Sequence, residues 1–183
     1  MREFTTLLVA LSILAGCEFG EPVSSPIPAE QESTVATESS LEQIARTEEE
    51  WRAMLSPQAY HVLREKGTEA PFTNEFDEHF EAGSYACAAC AQVLFESDTK
   101  FNSGCGWPAF FAAKAGDRVV LTADNAHGMI RTEVTCARCG SHLGHVFDDA
   151  PQTPTGQRFC INSVSLKFIP ADAQDEKSTA DAD

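Results

Sequence analysis

The chain has 183 residues, of which 43% are hydrophobic, and its formal net charge is −15. This length allows one ordinary domain with appendages. Residues 51–170 contain 13 acidic and 10 basic side chains, so most of the negative charge lies in the two ends of the chain. The sequence shows no basic patch of the kind that binds nucleic acid, and we expect no nucleic-acid partner.

The first predicted element is an export signal. Arg2 precedes a short, mostly apolar run, residues 4–16, which is too short to span a bilayer. The run ends in Leu-Ala-Gly-Cys, which resembles the lipobox of bacterial lipoproteins. The resemblance implies a signal peptide of residues 1–16 and acylation of Cys17, which would anchor the protein to a membrane. A plain secretory signal with an incidental cysteine is the alternative. Either reading predicts export, facing the periplasm or cell envelope.

The two ends of the mature chain are predicted to be disordered and acidic. Residues 17–46 are rich in Glu, Ser, Thr, Pro and Ala, and they cannot bury enough apolar surface to become ordered. A flexible tether of this length spans roughly 30 Å. Residues 171–183 form a small acidic tail. The folded domain is therefore predicted to comprise residues 47–170.

Two short helices are predicted at the start of this domain. Thr47 and Glu50 match a capping box at the start of the first helix. Ser56 is a suitable N-cap for the second helix, with Pro57 at its first position and Gly67 placed to end it.

The remainder of the domain is predicted to be mostly antiparallel β-structure. Residues 119–122, 129–135 and 159–169 are rich in β-branched and aromatic side chains. No apolar period of helical length occurs between residues 83 and 170. The predicted fold class is therefore mainly β, with short N-terminal helices.

Four of the seven cysteines form two Cys-x-x-Cys motifs: Cys87 with Cys90, and Cys136 with Cys139. Two tight turns of this type can direct four thiolates at one tetrahedral zinc ion, which would stabilise the fold. In an exported protein, two redox-active disulfides are the alternative. The occurrence of two such motifs in one domain favours structural zinc.

A strand-like segment carries the candidate nucleophile. Arg158, Cys160 and Asn162 occupy alternate positions and are expected to project from the same face. A neighbouring guanidinium favours the thiolate form of cysteine, which is the form that attacks. Asn162 could then donate a hydrogen bond to an oxygen of the group that is attacked. A buried structural cysteine in a core strand is the alternative.

Three further residues are candidates for chemistry. Cys105 lies between two glycines, in a turn where its sulfur could move towards another sulfur. It is either half of a static disulfide with Cys160 or a resolving thiol that pairs with Cys160 only after turnover. His142 and His145 could transfer protons near neutral pH. Zinc ligation or simple surface exposure is the alternative for both histidines.

Together, these motifs resemble the type B methionine sulfoxide reductases, which repair oxidised proteins and are specific for the R epimer at sulfur. The resemblance extends over residues 51–170 and rests on the paired Cys-x-x-Cys motifs, residues 103–110, the histidine segment and residues 158–163. It implies two antiparallel β-sheets in a barrel-like arrangement, with zinc opposite the catalytic face. Phe159 stands where the family usually has Tyr, a change that we expect to leave the chemistry intact.

The resemblance also implies the covalent chemistry. Cys160, assisted by Arg158, would attack the sulfoxide sulfur as a thiolate and become a sulfenic acid. Cys105 would then attack the sulfenic acid and form a disulfide with Cys160. A thioredoxin-like thiol donor would reduce that disulfide.

The remaining implied roles concern substrate binding. His142, His145 and Asn162 would orient and protonate the sulfoxide oxygen. Trp107 would form the wall that receives the methyl group on sulfur, with core packing as its alternative role. The implied substrates are proteins that contain methionine (R)-sulfoxide, and we expect the enzyme to be a monomer anchored to a membrane by its lipid.

Two other functions fit parts of the sequence. A non-catalytic zinc module on a membrane tether would explain the Cys-x-x-Cys motifs, and so would a thiol–disulfide oxidoreductase. Neither function accounts for Arg158, Asn162, Trp107 and the two histidines.

Overall fold

The computed structural model describes residues 42–114 and 117–172. The predicted signal peptide, Cys17 and nearly all of both predicted disordered ends lie outside these residues. No helix in the described ranges is long and apolar enough to cross a bilayer. The regular elements of the described residues are two helices and nine strands: α1 (Glu48–Met54), α2 (Pro57–Glu65), β1 (Gly83–Cys87), β2 (Val93–Glu96), β3 (Lys100–Phe101), β4 (Ala109–Phe110), β5 (Val119–Asp124), β6 (Arg131–Cys136), β7 (His142–Ala150), β8 (Gly156–Ile161) and β9 (Leu166–Pro170).

Helix α1 begins with the predicted capping box. The Thr47 amide donates to the Glu50 carboxylate over 2.8 Å, and the Glu50 amide donates to the Thr47 hydroxyl over 3.3 Å. These reciprocal bonds satisfy backbone donors that the first helical turn leaves free. The capping prediction is therefore confirmed.

Helix α2 has the predicted start but ends one residue before the predicted stop. The Ser56 hydroxyl accepts from the Ala59 amide over 3.2 Å. The left-handed residue at the end of the helix is Lys66, with φ 57°, and not Gly67. A Cβ on Gly67 would lie 2.3 Å from the imidazole of His61, so a larger residue there would require this exposed side chain to move.

The strands form two antiparallel sheets, as predicted. The smaller sheet has the order β2-β1-β9, and the larger has the order β3-β4-β8-β7-β6-β5. In the described residues the larger sheet is open, with β3 and β5 at its edges, so no closed barrel is seen. Strand β8 lies inside this sheet, between β4 and β7. The strand that carries Cys160 is thus supported on both sides.

The predicted strand run 159–169 is interrupted by a 3-10 turn, Ser163–Ser165, which separates β8 from β9. The buried Glu69 carboxylate accepts hydrogen bonds from the backbone amides of Ser163 and Val164. This carboxylate takes the place of a strand partner, and the chain leaves the larger sheet there to join the smaller one. Burial raises the pKa of Glu69, although the two amides oppose the effect.

The core contacts both helices and both sheets. Its largest fully buried side chains include Trp51 of α1, Tyr85 of β1 and Phe95 of β2. Phe95 stacks on Phe110 of β4, with ring centroids 4.4 Å apart. Each large apolar side chain contributes about 1.5–3 kcal/mol on full burial. This packing holds β4 and β8 in a rigid frame.

Candidate active site

A cavity of about 460 Å³ opens over strands β7 and β8. It brings together five of the residues that the sequence predicts for the site: Trp107, His142, His145, Cys160 and Asn162. Cys160 lies directly opposite His145 in the strand register, so both side chains project from the same face of the sheet. The cavity therefore places a thiol beside an imidazole.

The sulfurs of Cys105 and Cys160 are 3.5 Å apart, although 55 residues separate them in sequence. A disulfide bond is about 2.05 Å long, so the two thiols are reduced but close enough to join after a small movement. The turn that carries Cys105 depends on Gly106, whose φ is 85°. A Cβ on Gly106 would also lie 2.8 Å from the backbone nitrogen of Phe72.

The two sulfurs share one negative charge. The pKa of Cys105 is lowered to about 5, chiefly because the Cys160 thiol hydrogen-bonds to its sulfur, with a further hydrogen bond from the Ser103 hydroxyl. The hydrogen bond to Cys105 and burial raise the pKa of Cys160, and the nearby Arg158 only partly opposes this rise. The pair therefore carries one proton and one negative charge between its two sulfurs, and Arg158 lowers the pKa of both.

Arg158 is held in place by a carboxylate. Its Nε and one terminal nitrogen donate to the two oxygens of Asp149 over 2.9 and 2.7 Å. The guanidinium also lies 4.5 Å from the ring centroid of Phe147. The bond to Asp149 raises the pKa of Arg158, which fixes a permanent positive charge near both sulfurs.

His142 belongs to a three-residue chain in which His142 and Glu133 are buried and Lys66 is exposed. Its Nδ1 lies 2.8 Å from one carboxylate oxygen of Glu133, and the other oxygen accepts from Lys66 over 2.7 Å. Burial would raise the pKa of Glu133, but the Lys66 and His142 hydrogen bonds lower it. A carboxylate can only accept, so Nδ1 carries the proton and Nε2 remains available. Burial also lowers the pKa of His142.

His145 has an analogous partner from another strand. Its Nε2 lies 2.8 Å from the Asp124 carboxylate, which also accepts from Arg131 over 2.7 Å. The Ala126 amide, His145 and Arg131 together lower the pKa of Asp124. Nε2 therefore donates and Nδ1 is the free ring nitrogen. The centroids of the two histidine rings are 5.4 Å apart. The free ring nitrogen is Nε2 in His142 and Nδ1 in His145.

Sequence reasoning missed these four supporting residues: Lys66, Asp124, Arg131 and Glu133. A local signal existed for two of them. Arg131 and Glu133 are charged residues at alternate positions of a strand whose other residues are uncharged, which places them on one face. Nothing in the sequence indicated which histidine each carboxylate would contact.

Asn162 lines the cavity but does not belong to strand β8, which ends at Ile161. Its side-chain oxygen accepts from the Thr68 hydroxyl over 2.9 Å and from the Glu69 amide over 3.3 Å. Its amide nitrogen donates to the Leu143 carbonyl over 3.0 Å. These bonds tie residues 68–69 to β7. The bond to Leu143 uses one hydrogen of the amide group, so the second hydrogen is left for a ligand.

Trp107 lines the cavity, and its indole Nε1 is a buried donor without a hydrogen-bond partner among the described residues. A buried N–H group without a partner costs free energy unless a ligand or water supplies an acceptor. The ring therefore contributes apolar surface to the cavity, and its Nε1–H is buried.

The four predicted zinc ligands lie together. The sulfurs of Cys87, Cys90, Cys136 and Cys139 are all within 4.8 Å of one another. Two of the sulfur pairs, Cys87 with Cys139 and Cys90 with Cys136, are 3.7 and 3.6 Å apart. A tetrahedral zinc ion with bonds of about 2.3 Å requires sulfurs about 3.8 Å apart. The cluster therefore fits a zinc site with four thiolate ligands.

Comparisons with known proteins agree with this geometry. A family model described as the SelR domain matches residues 55–170. A Methanosarcina mazei protein named "Peptide methionine sulfoxide reductase MsrB" is 59% identical over 125 residues, which cover 68% of this chain and 89% of the relative. Proteins of the same name from Pseudomonas putida and Bradyrhizobium diazoefficiens are 56% and 54% identical. The matched regions cover 72% and 73% of this chain, and 98% and 96% of these two relatives.

Proposed function

We propose that this chain, which belongs to the SelR domain family, reduces the R epimer of methionine sulfoxide in proteins. Reduction of peptide methionine sulfoxide is the activity in the names of its relatives. The observation that supports it most is the pair of sulfurs, Cys105 and Cys160, 3.5 Å apart beside a cavity that contains two carboxylate-held histidines. The preference for the R epimer rests on the family resemblance.

In the first proposed step, the sulfur of Cys160 attacks the sulfoxide sulfur. Its proton passes to the Cys105 thiolate, which lies 3.5 Å away. His142 or His145, as the imidazolium, donates one proton to the sulfoxide oxygen through the ring nitrogen that its carboxylate leaves free. The oxygen is transferred to Cys160, which gives methionine and a sulfenic acid on Cys160.

Substrate binding uses the remaining cavity groups. Trp107 contacts the methyl group on sulfur with its ring. Asn162 has one free amide hydrogen for the sulfoxide oxygen. Arg158 stabilises the negative charge that the two sulfurs share.

In the second proposed step, Cys105 attacks the sulfenic sulfur of Cys160. A sulfur–sulfur bond forms and water leaves, so the two thiols together supply both electrons. The sulfurs must approach by roughly 1.5 Å to reach disulfide length. An external dithiol of the thioredoxin type then reduces the disulfide by thiol exchange and restores both thiols.

We assign Cys87, Cys90, Cys136 and Cys139 to a structural zinc ion. The ion would hold the turn after β1 to the turn after β6 and would contribute folding free energy. In each turn a backbone amide donates a hydrogen bond to the carbonyl of the first cysteine. The Ala91 amide donates to Cys87 and the Gly140 amide donates to Cys136, over 2.8 Å in both turns. With four thiolates bound, no position remains open for catalysis.

The proposed location follows from the lipobox resemblance at Cys17. An acylated Cys17 would hold the monomeric domain at the envelope face of a membrane, where the donor must also reach it. Fatty-acid labelling of the full-length chain tests this location. Wild-type protein should become labelled and membrane-bound, whereas Cys17→Ala should be released without label.

Stereospecific reduction is the test of the proposed activity. The purified mature chain should reduce a methionine (R)-sulfoxide peptide with dithiothreitol, and it should leave the S epimer unchanged. Cys160→Ser should abolish the activity, whereas Cys105→Ser should still complete one turnover. Activity that persists in Cys160→Ser would refute the assigned nucleophile. Reduction of insulin disulfides without sulfoxide reduction would favour a thiol–disulfide oxidoreductase instead.

A further inference from the structure

We infer that an apolar patch, Pro71 and Phe72, binds the protein donor that reduces the disulfide between Cys105 and Cys160. The inference rests on the proposed function, and it adds a docking surface for the dithiol that completes each cycle. Both residues of the patch are exposed, and they lie in the loop between α2 and β1.

The patch is bonded directly to the turn that carries Cys105. The backbone amide of Phe72 donates to the carbonyl of Gly106, the residue after Cys105, over 2.8 Å. The side-chain amide of Asn74 donates to the same carbonyl over 2.9 Å. A Cβ on Gly106 would lie 2.8 Å from the Cβ of Pro71 and 2.9 Å from the ring carbon Cδ2 of Phe72. Both side chains of the patch therefore lie beside the neighbour of Cys105.

Phe72 is held in an exposed position by an unfavourable backbone conformation. It is 70% exposed, and its φ is 62°, in the left-handed region that residues with a side chain rarely adopt. Such conformations persist where surrounding bonds hold them, and they cluster at functional sites. The two bonds to Gly106 hold this part of the loop. An aromatic side chain that is fixed before binding loses little conformational entropy when a partner covers it.

The patch lies outside the substrate cavity. Cys160 and Trp107 line that cavity, whereas Cys105 and the patch are not among the described residues that line it. Before Cys105 in sequence, Gly104 is exposed, and nothing lies within 4 Å of a Cβ built there. A partner can therefore approach Cys105 from the side of its turn without entering the cavity.

The chemistry of the cycle identifies the partner as a protein dithiol. A donor thiolate attacks the Sγ of Cys105, the sulfur–sulfur bond breaks, and Cys160 leaves as a thiolate. The second donor thiol then attacks the mixed disulfide, so Cys105 is released and the donor leaves oxidised. The two electrons and two protons of the dithiol are thereby transferred to Cys105 and Cys160.

This attack brings the surface of the donor onto the patch. The donor sulfur must come within bonding distance of Cys105, and Phe72 is bonded to the next residue of the turn. The patch carries no charge, and aromatic side chains are enriched in the centres of protein interfaces. It therefore fits a donor whose dithiol is surrounded by apolar surface.

The test replaces Phe72 by asparagine, because asparagine tolerates the left-handed conformation. Leu121→Asn is the matched control, since Leu121 is 46% exposed and lies on β5. Strand β5 is at one edge of the larger sheet, whereas β3, which leads into the turn of Cys105, is at the opposite edge. Each variant removes one exposed apolar side chain, and thermal unfolding would verify that both fold like the wild type. Phe72→Gly, which also suits this conformation, should behave like Phe72→Asn.

The experiment starts from the mature chain after one turnover with a methionine (R)-sulfoxide peptide, when Cys105 and Cys160 form the disulfide. Reduced thioredoxin is the probe donor, and dithiothreitol is the small reference reductant. In Phe72→Asn the second-order rate constant for reduction by thioredoxin should fall roughly five- to tenfold, because partial burial of one large apolar side chain gives an effect of this size. The rate constant with dithiothreitol should stay within about twofold. Leu121→Asn should keep both wild-type rate constants.

The inference would be overturned by an unchanged thioredoxin rate constant in Phe72→Asn, an equal loss with dithiothreitol, or an equal loss in Leu121→Asn. Slower disulfide formation in the first turnover of Phe72→Asn would also overturn it, because Phe72 would then position Cys105. A lower kcat/KM for the peptide in dithiothreitol assays would show that the patch contacts the substrate instead. Each of these results leaves the proposed reductase activity intact. Failure of the wild type to reduce the peptide with dithiothreitol would refute the proposed function, and the inference with it.

Discussion

Replacement of Gly144 by alanine tests whether the close approach of β7 to β8 positions Cys160. A Cβ on Gly144 would lie 2.1 Å from the carbonyl oxygen of Cys160 and 3.0 Å from the Cα of Ile161. Ordinary contacts of a Cβ begin at 3.4 Å, so the two strands must separate by more than 1 Å. Both obstructing atoms belong to the backbone, and no rotamer change can relieve the contact.

The expected cost follows from that displacement. Overpacking of a core typically costs 1–3 kcal/mol, and we expect about 3 kcal/mol here because backbone must move. For a domain of this size, that value lowers Tm by roughly 10 °C. A shift of about 1 Å in a reacting group can lower the rate roughly 100-fold. Thermal unfolding and kcat/KM for a methionine (R)-sulfoxide peptide measure the two effects.

Gly156→Ala is the matched control, since Gly156 lies on β8 and opposite Ala150 of β7. Its φ is 72°, but nothing lies within 4 Å of an added Cβ. Alanine there should cost only about 1 kcal/mol of backbone strain and should leave kcat/KM within about twofold. If Gly144→Ala behaves like this control in both assays, the contact between the strands does not position Cys160.

Three further predictions concern the charge of the thiols, the histidine pair and the metal. In single-turnover assays, wild-type activity should rise with pH only up to about pH 5, where the sulfur pair gains its charge. In Cys105→Ser that rise should move to higher pH, because Cys160 must ionise without its partner. Glu133→Gln should lower kcat roughly tenfold or more. The loss should be greatest at high pH, because removal of this carboxylate lowers the pKa of His142 further and leaves less imidazolium to donate a proton. The purified chain should contain one zinc, and its removal by a chelator should lower Tm by about 10 °C or more.

The local features of the fold were predictable because they depend on residues close in sequence. The bonds between Thr47 and Glu50 connect positions three apart, and the Ser56 cap does the same. The cysteines of the two Cys-x-x-Cys motifs are likewise predictable, because two-residue spacing directs both sulfurs to one side of a turn. The end of α2 is also a local feature, but its prediction was wrong. Lys66 takes the left-handed conformation there and directs its amine to Glu133. This tertiary contact stabilises a left-handed backbone conformation that glycine adopts more easily than other residues.

The partners of the histidines were not predictable, because strand register decides them. Glu133 is directly opposite His145 across the β6–β7 pair, yet its carboxylate bonds His142. The register shifts between Val134 and Thr135, which brings His142 within reach of Glu133. Asp124, which ends β5, bonds His145 from two strands away. A single irregularity of one ladder thus gives His142 its carboxylate, and no spacing in the sequence encodes it.

The resting charge of the site illustrates the same limit in its chemistry. The sequence places Arg158 two residues from Cys160, which predicts a thiolate there. In the folded protein a second sulfur lies 3.5 Å from Cys160, so the negative charge that Arg158 favours is shared between two sulfurs. The proposed mechanism then gives Cys105 two consecutive roles: it accepts the proton of Cys160, and it later attacks the sulfenic acid of Cys160. These roles separate in Cys105→Ser: loss of the base changes the pH dependence of the first turnover, whereas loss of the resolving sulfur stops every later turnover that depends on a protein donor.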